Sequence, residues 1–258
     1  MRAIQEKIEE KLKEIEEKEG VRILYAVESG SRAWGFASPD SDYDVRFIYV
    51  RPKEDYLGLF APKDVIEWQL DAVFDINGWD LKKALRQFAK GNATLLEWSR
   101  SPVVYRTTKE WEMAQEASNH YFSEKAAVYH YYGTAKSTYI NALSGNAVAY
   151  KKYFYALRPL LAAEYIETFH APPPVLFDDL RILLREDSLK QEIEELLEQK
   201  RVSAEKEKHP HMPVIKKFIE TNLQRQKEIA DALSDDRNRD ISRLNRCFLE
   251  ILEKEKSK

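Results

Sequence analysis

Two acidic residues separated by one position, Asp42 and Asp44, lie at the start of an apolar segment that ends at Val50. On a β-strand, residues two apart project from the same face, so these carboxylates are expected to lie side by side. Like charges held that close need a positive partner, and a divalent cation with oxygen ligands is the usual one. The pair therefore predicts a site for Mg²⁺ or Mn²⁺.

Gly30 and Ser31 stand just before this pair, after the apolar segment from Val21 to Glu28. Glycine lets backbone N–H groups approach a phosphate closely, and serine adds a hydroxyl donor where a helix begins. The ten residues from Arg32 to Ser41 suffice for a short helix and a turn, which would bring both motifs to the same end of a sheet. We expect Gly30 and Ser31 to bind the phosphates of a nucleoside triphosphate.

In combination, Gly30-Ser31 and Asp42-Tyr43-Asp44 resemble the nucleotidyltransferase superfamily with a DNA-polymerase-β-like palm. Four longer runs resemble its branch associated with RNA repair ligases, the RlaP-like family. These runs are Ser38 to Pro52, Gly78 to Leu85, Leu95 to Trp98 and Lys151 to Leu161. The resemblance spans roughly residues 21 to 174 and departs from the family at Ala93, where proline is expected. It implies transfer of a nucleoside monophosphate to an acceptor hydroxyl, such as an RNA 3′ end, with release of pyrophosphate.

A third carboxylate is implied by this resemblance, on a later strand that we predict over residues 66–75. Asp75 is the preferred candidate, and Asp71 is the alternative, because the two lie four residues apart on one face of that predicted strand. The third carboxylate would bind a second metal ion and favour deprotonation of the acceptor hydroxyl.

Basic residues near these motifs are candidates for binding the nucleotide or an RNA end. Arg32 and Arg46 either contact phosphate or pair with the neighbouring aspartates. Lys151 and Arg158 share one face of a predicted helix, which favours either a nucleotide-binding edge or an exposed stripe. With Lys152 they form the expected contact surface for single-stranded RNA.

Composition limits the class of protein. With 43% hydrophobic and 33% charged residues, the chain is expected to be globular, and its net charge of −3 argues against a surface that binds nucleic acid non-specifically. The one cysteine, Cys247, excludes an internal disulfide and a zinc site built on several thiolates. No segment has the apolar length needed to cross a bilayer, so we expect a cytoplasmic protein with no membrane partner.

The fold class expected from these patterns is α+β. A helix ending near Gly20 precedes a sheet core of three strands, and Asp80 is predicted to cap a helix that stops near Gly91. The predicted domains are 1–105, an N-terminal helix with the palm, and 106–258, an all-helical domain. The active site is expected in the cleft between them.

Two other functions are compatible with the same motifs. A palm that binds nucleotide without turnover would be a sensor or a regulatory module. An interaction protein would instead use its C-terminal helices and keep the palm as a scaffold. Release of pyrophosphate distinguishes the enzyme from both.

Overall fold

The computed structural model describes residues 2–71, 73–202 and 207–255. The fold is α+β, as predicted, and combines a five-stranded mixed sheet with many helices. Two compact units are present. The first consists of residues 1–33, 42–122 and 237–258, and the second of residues 34–41 and 123–236. The sequence predicted a single division at residue 105, whereas each unit is assembled from separate segments.

The sheet belongs to the first unit. Its strands are β1 (Arg22–Glu28), β2 (Tyr43–Val50), β3 (Val65–Leu70), β4 (Phe74–Asp80) and β5 (Val104–Thr107). They are ordered β3-β4-β2-β1-β5, and β2 and β4 are parallel while the other neighbouring pairs are antiparallel. The end of β1 and the starts of β2 and β4 therefore meet at one end of the sheet.

One face of the sheet packs against α1 (Arg2–Glu19). The helix buries apolar residues at helical spacing there, together with every second residue of β2. These buried residues are Ile8, Leu12, Ile15, Val45, Phe47 and Tyr49. Because side chains alternate along a strand, Asp44 and Arg46 project from the opposite face.

The opposite face is covered by α4 (Leu81–Ala89), α5 (Ala93–Trp98), α6 (Lys109–Ser118) and α12 (Ser242–Lys254). Asp80 caps α4 as predicted, since its side chain accepts a hydrogen bond from the Lys82 N–H at 2.8 Å. Ala93 is the first residue of α5, a position where proline and alanine are both accommodated. Among the helices that the structure describes, none is long and apolar enough to cross a membrane.

The predicted strand over residues 66–75 is in fact two antiparallel strands, β3 and β4. Asp71 lies in the turn between them, where its Oδ1 accepts hydrogen bonds from the N–H groups of Val73 (2.7 Å) and Phe74 (2.8 Å). Ala72 lies outside the described residues. This bonding from side chain to backbone stabilises a turn in place of a continuous strand. Asp71 and Asp75 therefore do not share one strand face.

The second unit is mainly helical, with one short antiparallel pair of strands, β6 (Val148–Ala149) and β7 (Lys208–His209). It contains α7 (Glu124–Thr138), α8 (Lys151–Phe169), α9 (Phe177–Leu180), α10 (Asp187–Val202) and α11 (Pro213–Ala232). Residues 34–41 contribute to its core, because the Phe36 ring stacks on Phe154 with centroids 4.6 Å apart and meets Phe177 edge-on at 5.9 Å. The predicted turn around Pro39 is present, with the Ser41 N–H donating to the Ser38 carbonyl at 3.1 Å.

Candidate active site

Asp44 of β2 lies directly opposite Asp75 of β4 in the parallel register, and Arg46 lies opposite Asn77. All four side chains project from the same face of the sheet, because alternate residues share a face. The two carboxylates are partly buried, with side-chain exposures of 20% for Asp44 and 25% for Asp75. The parallel pairing thus joins one residue of the Asp-x-Asp motif to the preferred third carboxylate.

Arg46 connects these two carboxylates. Its Nη2 donates to Oδ1 of Asp44 at 3.1 Å and to Oδ2 of Asp75 at 2.7 Å. Its Nη1 donates to the backbone carbonyls of Asp75 (2.7 Å) and Val45 (3.1 Å). Of the two interpretations open for Arg46 at the sequence level, the structure shows pairing with aspartate.

Gly30, the first residue of α2 (Gly30–Trp34), lies against the Asp44 carboxylate. Its φ of +60° favours glycine, and a Cβ atom here would stand 2.1 Å from Oδ2 of Asp44. The Ser29 N–H also donates to the Asp44 carbonyl at 2.8 Å. The close approach of Asp44 therefore requires a glycine at this position, whether or not a phosphate binds there as predicted. Ser31 beside it is 5% exposed.

Glu28, at the end of β1, is a buried acidic residue that the sequence motifs did not single out. It is 1% exposed, accepts a hydrogen bond from the Asp44 N–H at 2.8 Å and accepts another from the Tyr105 hydroxyl. Burial raises the pKa of Glu28 to about 7. The sequence feature that could have identified Glu28 is its position at the end of the apolar run over residues 23–27, just before Gly30.

The three predicted carboxylates influence one another at this end of the sheet. Burial raises the pKa of Asp44 to about 6; the Arg46 charge opposes this rise, and the charges of Asp42 and Asp75 add to it. Asp42 itself is exposed, immediately before β2. The structure therefore brings Asp42, Asp44 and Asp75 into one electrostatic cluster.

Arg32 is held beside this cluster. Its Nε donates to the Asp42 carbonyl at 2.9 Å, and its guanidinium carbon lies 3.8 Å from the centre of the Tyr43 ring. Such stacking orients a guanidinium group. Arg32 therefore borders the Asp-x-Asp motif through backbone and aromatic contacts.

Asp71, the alternative third carboxylate, does not join the cluster. It is exposed in the turn between β3 and β4, and the Gln69 side-chain amide donates to it at 2.5 Å. Hydrogen bonds from Gln69 and from the backbone lower its pKa. Between the two candidates left open by the sequence, the geometry favours Asp75.

Lys151 and Arg158 belong to the second unit, on α8. Arg158 is 1% exposed; its Nε donates to the Val175 carbonyl at 3.0 Å, and its guanidinium carbon lies 4.7 Å from the centre of the Trp34 ring. A side chain this buried adds no charge to the surface, which corrects the expectation of an exposed basic stripe. Lys151 and Lys152 are partly exposed. The nucleotide-binding role of Lys151 and Arg158 stays a prediction.

A divalent cation fits part of this cluster. Within residues 2–71, 73–202 and 207–255, no three His, Cys, Asp or Glu side chains form a ready group of metal ligands. Mg²⁺, however, is commonly held by one or two carboxylates, with waters and substrate phosphates completing its shell. Asp42 and Asp44 meet that requirement. Arg46 is already a cationic partner of both Asp44, at 3.1 Å, and Asp75, at 2.7 Å.

An α+β unit in which an Asp-x-Asp strand follows a Gly-Ser turn is the arrangement of a nucleotidyltransferase-like protein. The chain belongs to the RNA repair pathway DNA polymerase beta family, RlaP, whose family model matches residues 4–250. This match confirms the resemblance drawn from the motifs.

A relative and a solved structure are similar to the chain. YcgL, an uncharacterized protein of Bacillus subtilis (strain 168), is 44% identical over 252 residues, which cover 97% of each chain. A nucleotidyltransferase-like protein from Exiguobacterium sibiricum 255-15 is 11% identical, with a TM-score of 0.28, covering 97% of this chain and 81% of that one.

Proposed function

We propose that the protein is a metal-dependent nucleotidyltransferase, which moves a nucleoside monophosphate from a nucleoside triphosphate to an acceptor hydroxyl. The observation that carries this proposal is the placement of Asp75 opposite Asp44, with Gly30 against the same carboxylate. Three carboxylates gathered beside a glycine turn are more than the sheet needs for its stability, since grouped like charges oppose one another.

Asp42 and Asp44 would hold Mg²⁺ or Mn²⁺. When bound, the ion supplies charge neutralisation for the triphosphate and for the leaving pyrophosphate. Gly30 and Ser31 bind the β and γ phosphates, and Arg32 borders them from its place over Tyr43. The acceptor oxygen forms a bond to the α-phosphorus as the bond to the pyrophosphate oxygen breaks, and Asp75 favours loss of the hydroxyl proton.

An RNA 3′ end is the proposed acceptor. The family description, an RNA repair pathway, supports testing RNA before other acceptors. Because one fold serves many substrates, the assay also follows label transfer to protein. The full chain would be incubated with each labelled triphosphate, with Mg²⁺ or Mn²⁺, and with single-stranded RNAs ending in a 2′,3′-diol or a 3′-phosphate.

The expected result is a labelled RNA product from the diol end, with stoichiometric pyrophosphate. An RNA ending in a 3′-phosphate lacks the 3′-hydroxyl that is expected to attack and is the matched control. Label transfer to protein, in place of RNA, would overturn the RNA acceptor and keep the transferase. Metal-dependent triphosphate binding without any pyrophosphate release would contradict the transferase and support a sensor.

A further inference from the structure

Arg46 is fixed in its position by four acceptors. Two of these are the backbone carbonyls of Val45 and Asp75, on the paired strands β2 and β4. The other two are the carboxylates of Asp44 and Asp75, and the Arg46 side chain is 13% exposed. Because backbone carbonyls in a sheet cannot move without disturbing the strand pairing, the guanidinium is a permanent part of the site.

The guanidinium also occupies the place that a shared metal ion would need. In sites with two metal ions, about 3.5–4 Å apart, acidic ligands lie between or beside the ions. Here one nitrogen, Nη2 of Arg46, already contacts Oδ1 of Asp44 and Oδ2 of Asp75. A second divalent ion on those oxygens would lie against a fixed positive charge, and the two would repel strongly in a partly buried site.

The charges of the cluster also favour one ion over two. The guanidinium groups of Arg46 and Arg32 partly balance the three carboxylates of Asp42, Asp44 and Asp75, which leaves about one negative charge for a divalent cation to neutralise. Asp42 is exposed and precedes β2, and the Asp44 side chain is 20% exposed.

We infer that Arg46 takes the place of a second metal ion, so that the site holds a single divalent cation on Asp42 and Asp44. This inference rests on the proposed function and deepens it. Asp75 then acts as a carboxylate oriented by Arg46 and not as a metal ligand. Arg46 is a positioning residue, since it acts through the two carboxylates.

The experiment is a titration of the full-length protein with Mn²⁺ alone, with free Mn²⁺ measured by electron paramagnetic resonance. Wild type is expected to bind one Mn²⁺ per chain at the site, and Asp44→Asn is expected to lose it. In Arg46→Met, removal of the fixed cation should either raise Mn²⁺ affinity by about tenfold or more or admit a second ion. Arg46→Lys, which keeps the charge, should retain one ion without the gain in affinity.

Arg106 offers a matched control in the same unit. Like Arg46, it is a partly buried arginine between two carboxylates, those of Glu9 and Glu16, and its side chain is 17% exposed. Arg106→Met changes the net charge of the protein by the same amount. It is expected to leave Mn²⁺ stoichiometry and affinity unchanged.

Wild type compared with Asp44→Asn can overturn the inference, whether or not the Arg46 variants fold. Two Mn²⁺ ions bound per chain with comparable affinity, both lost in Asp44→Asn, would contradict it; continued pyrophosphate release would then leave the proposed function standing. An equal gain of affinity in Arg106→Met would also overturn it, because the effect would be one of total charge. Wild type that binds no Mn²⁺ and releases no pyrophosphate would contradict the inference and the proposed function together.

Discussion

The two ends of the parallel pair β2 and β4 each carry a partly or fully buried aspartate, but in different surroundings. At one end, Asp80 is 3% exposed and accepts hydrogen bonds from the Tyr56 hydroxyl at 2.7 Å and from the Lys82 N–H at 2.8 Å. At the other end, Asp44 is 20% exposed and has Asp42, Asp75 and Arg46 as its charged neighbours.

This difference in surroundings indicates that the Asp80 carboxylate stabilises the fold, whereas the Asp44 carboxylate is placed for the reaction. Burial raises the pKa of Asp80, and neutral donors together with a helix N-terminus compensate for that burial. Asp44 faces other carboxylates, so part of the free-energy cost of burying its charge is left to be offset by a bound cation. Fold stability should therefore depend on the Asp80 end, and turnover on the Asp44 end.

The largest expected effect is on turnover at the Asp44 end. Asp44→Asn should lower the rate of pyrophosphate release at least about 100-fold, because it removes a metal ligand. Its free energy of unfolding should stay the same or rise, since a desolvated charge is lost. Pyrophosphate assays quenched at successive times measure the rate, and denaturant unfolding measures the free energy of unfolding. Full turnover in this variant would contradict the assignment of turnover to the Asp44 end.

The opposite result is expected at the Asp80 end. Asp80→Ala removes the cap of α4 and leaves the partly buried Tyr56 hydroxyl without its acceptor, which should lower the free energy of unfolding by about 2–4 kcal/mol. Turnover per folded molecule should change little. If Asp80→Ala were as stable as wild type, the interpretation of Asp80 as a structural carboxylate would be wrong.

A pH series sharpens the comparison through Glu28, which supports Asp44. The folded-state pKa of about 7 lies above the ordinary value of 4.5, so the carboxyl group is preferentially protonated in the folded protein. Its contribution to stability is complete below pH 4.5 and is lost as pH rises through about 7, a difference of up to about 3 kcal/mol.

Glu28→Gln keeps the acceptor for the Asp44 N–H and cannot ionise. Relative to wild type, its free energy of unfolding should therefore increase progressively between pH 4.5 and pH 8. Glu67→Gln, at an exposed position on β3, is the control and should show no such trend. A parallel course for wild type and Glu28→Gln across this range would show that Glu28 is charged when folded.

The smallest effect is expected in the turn beside the Asp44 end. Asp71→Asn should leave turnover and triphosphate binding unchanged and alter thermal stability only slightly, because the side chain is exposed. By contrast, Asp75→Asn, on β4 at the Asp44 end itself, should abolish turnover yet spare triphosphate binding. Single-turnover kinetics and equilibrium binding measure both variants. If Asp71→Asn abolished turnover and Asp75→Asn did not, Asp71 would be the third carboxylate.

Much of the site could be predicted from local patterns. The glycine turn with its spacing placed Gly30 at the same end of the sheet as Asp44, whereas Asp42 precedes β2 and lies outside the strand alternation that was expected for the pair. Periodicity and capping likewise predicted α1 and α4. These features follow from bonds and contacts between residues close in sequence, which is why the sequence by itself determined them.

Pairing between distant segments was decided only by the tertiary structure. The hairpin at Asp71 and the addition of β5 to the sheet depend on hydrogen bonds that alternation does not specify. The partners of Arg46 follow from the parallel register of β2 with β4, and the burial of Arg158 follows from its packing with Trp34 and Val175. Each of these outcomes joins residues far apart in the chain, whose proximity is fixed only when the whole core packs.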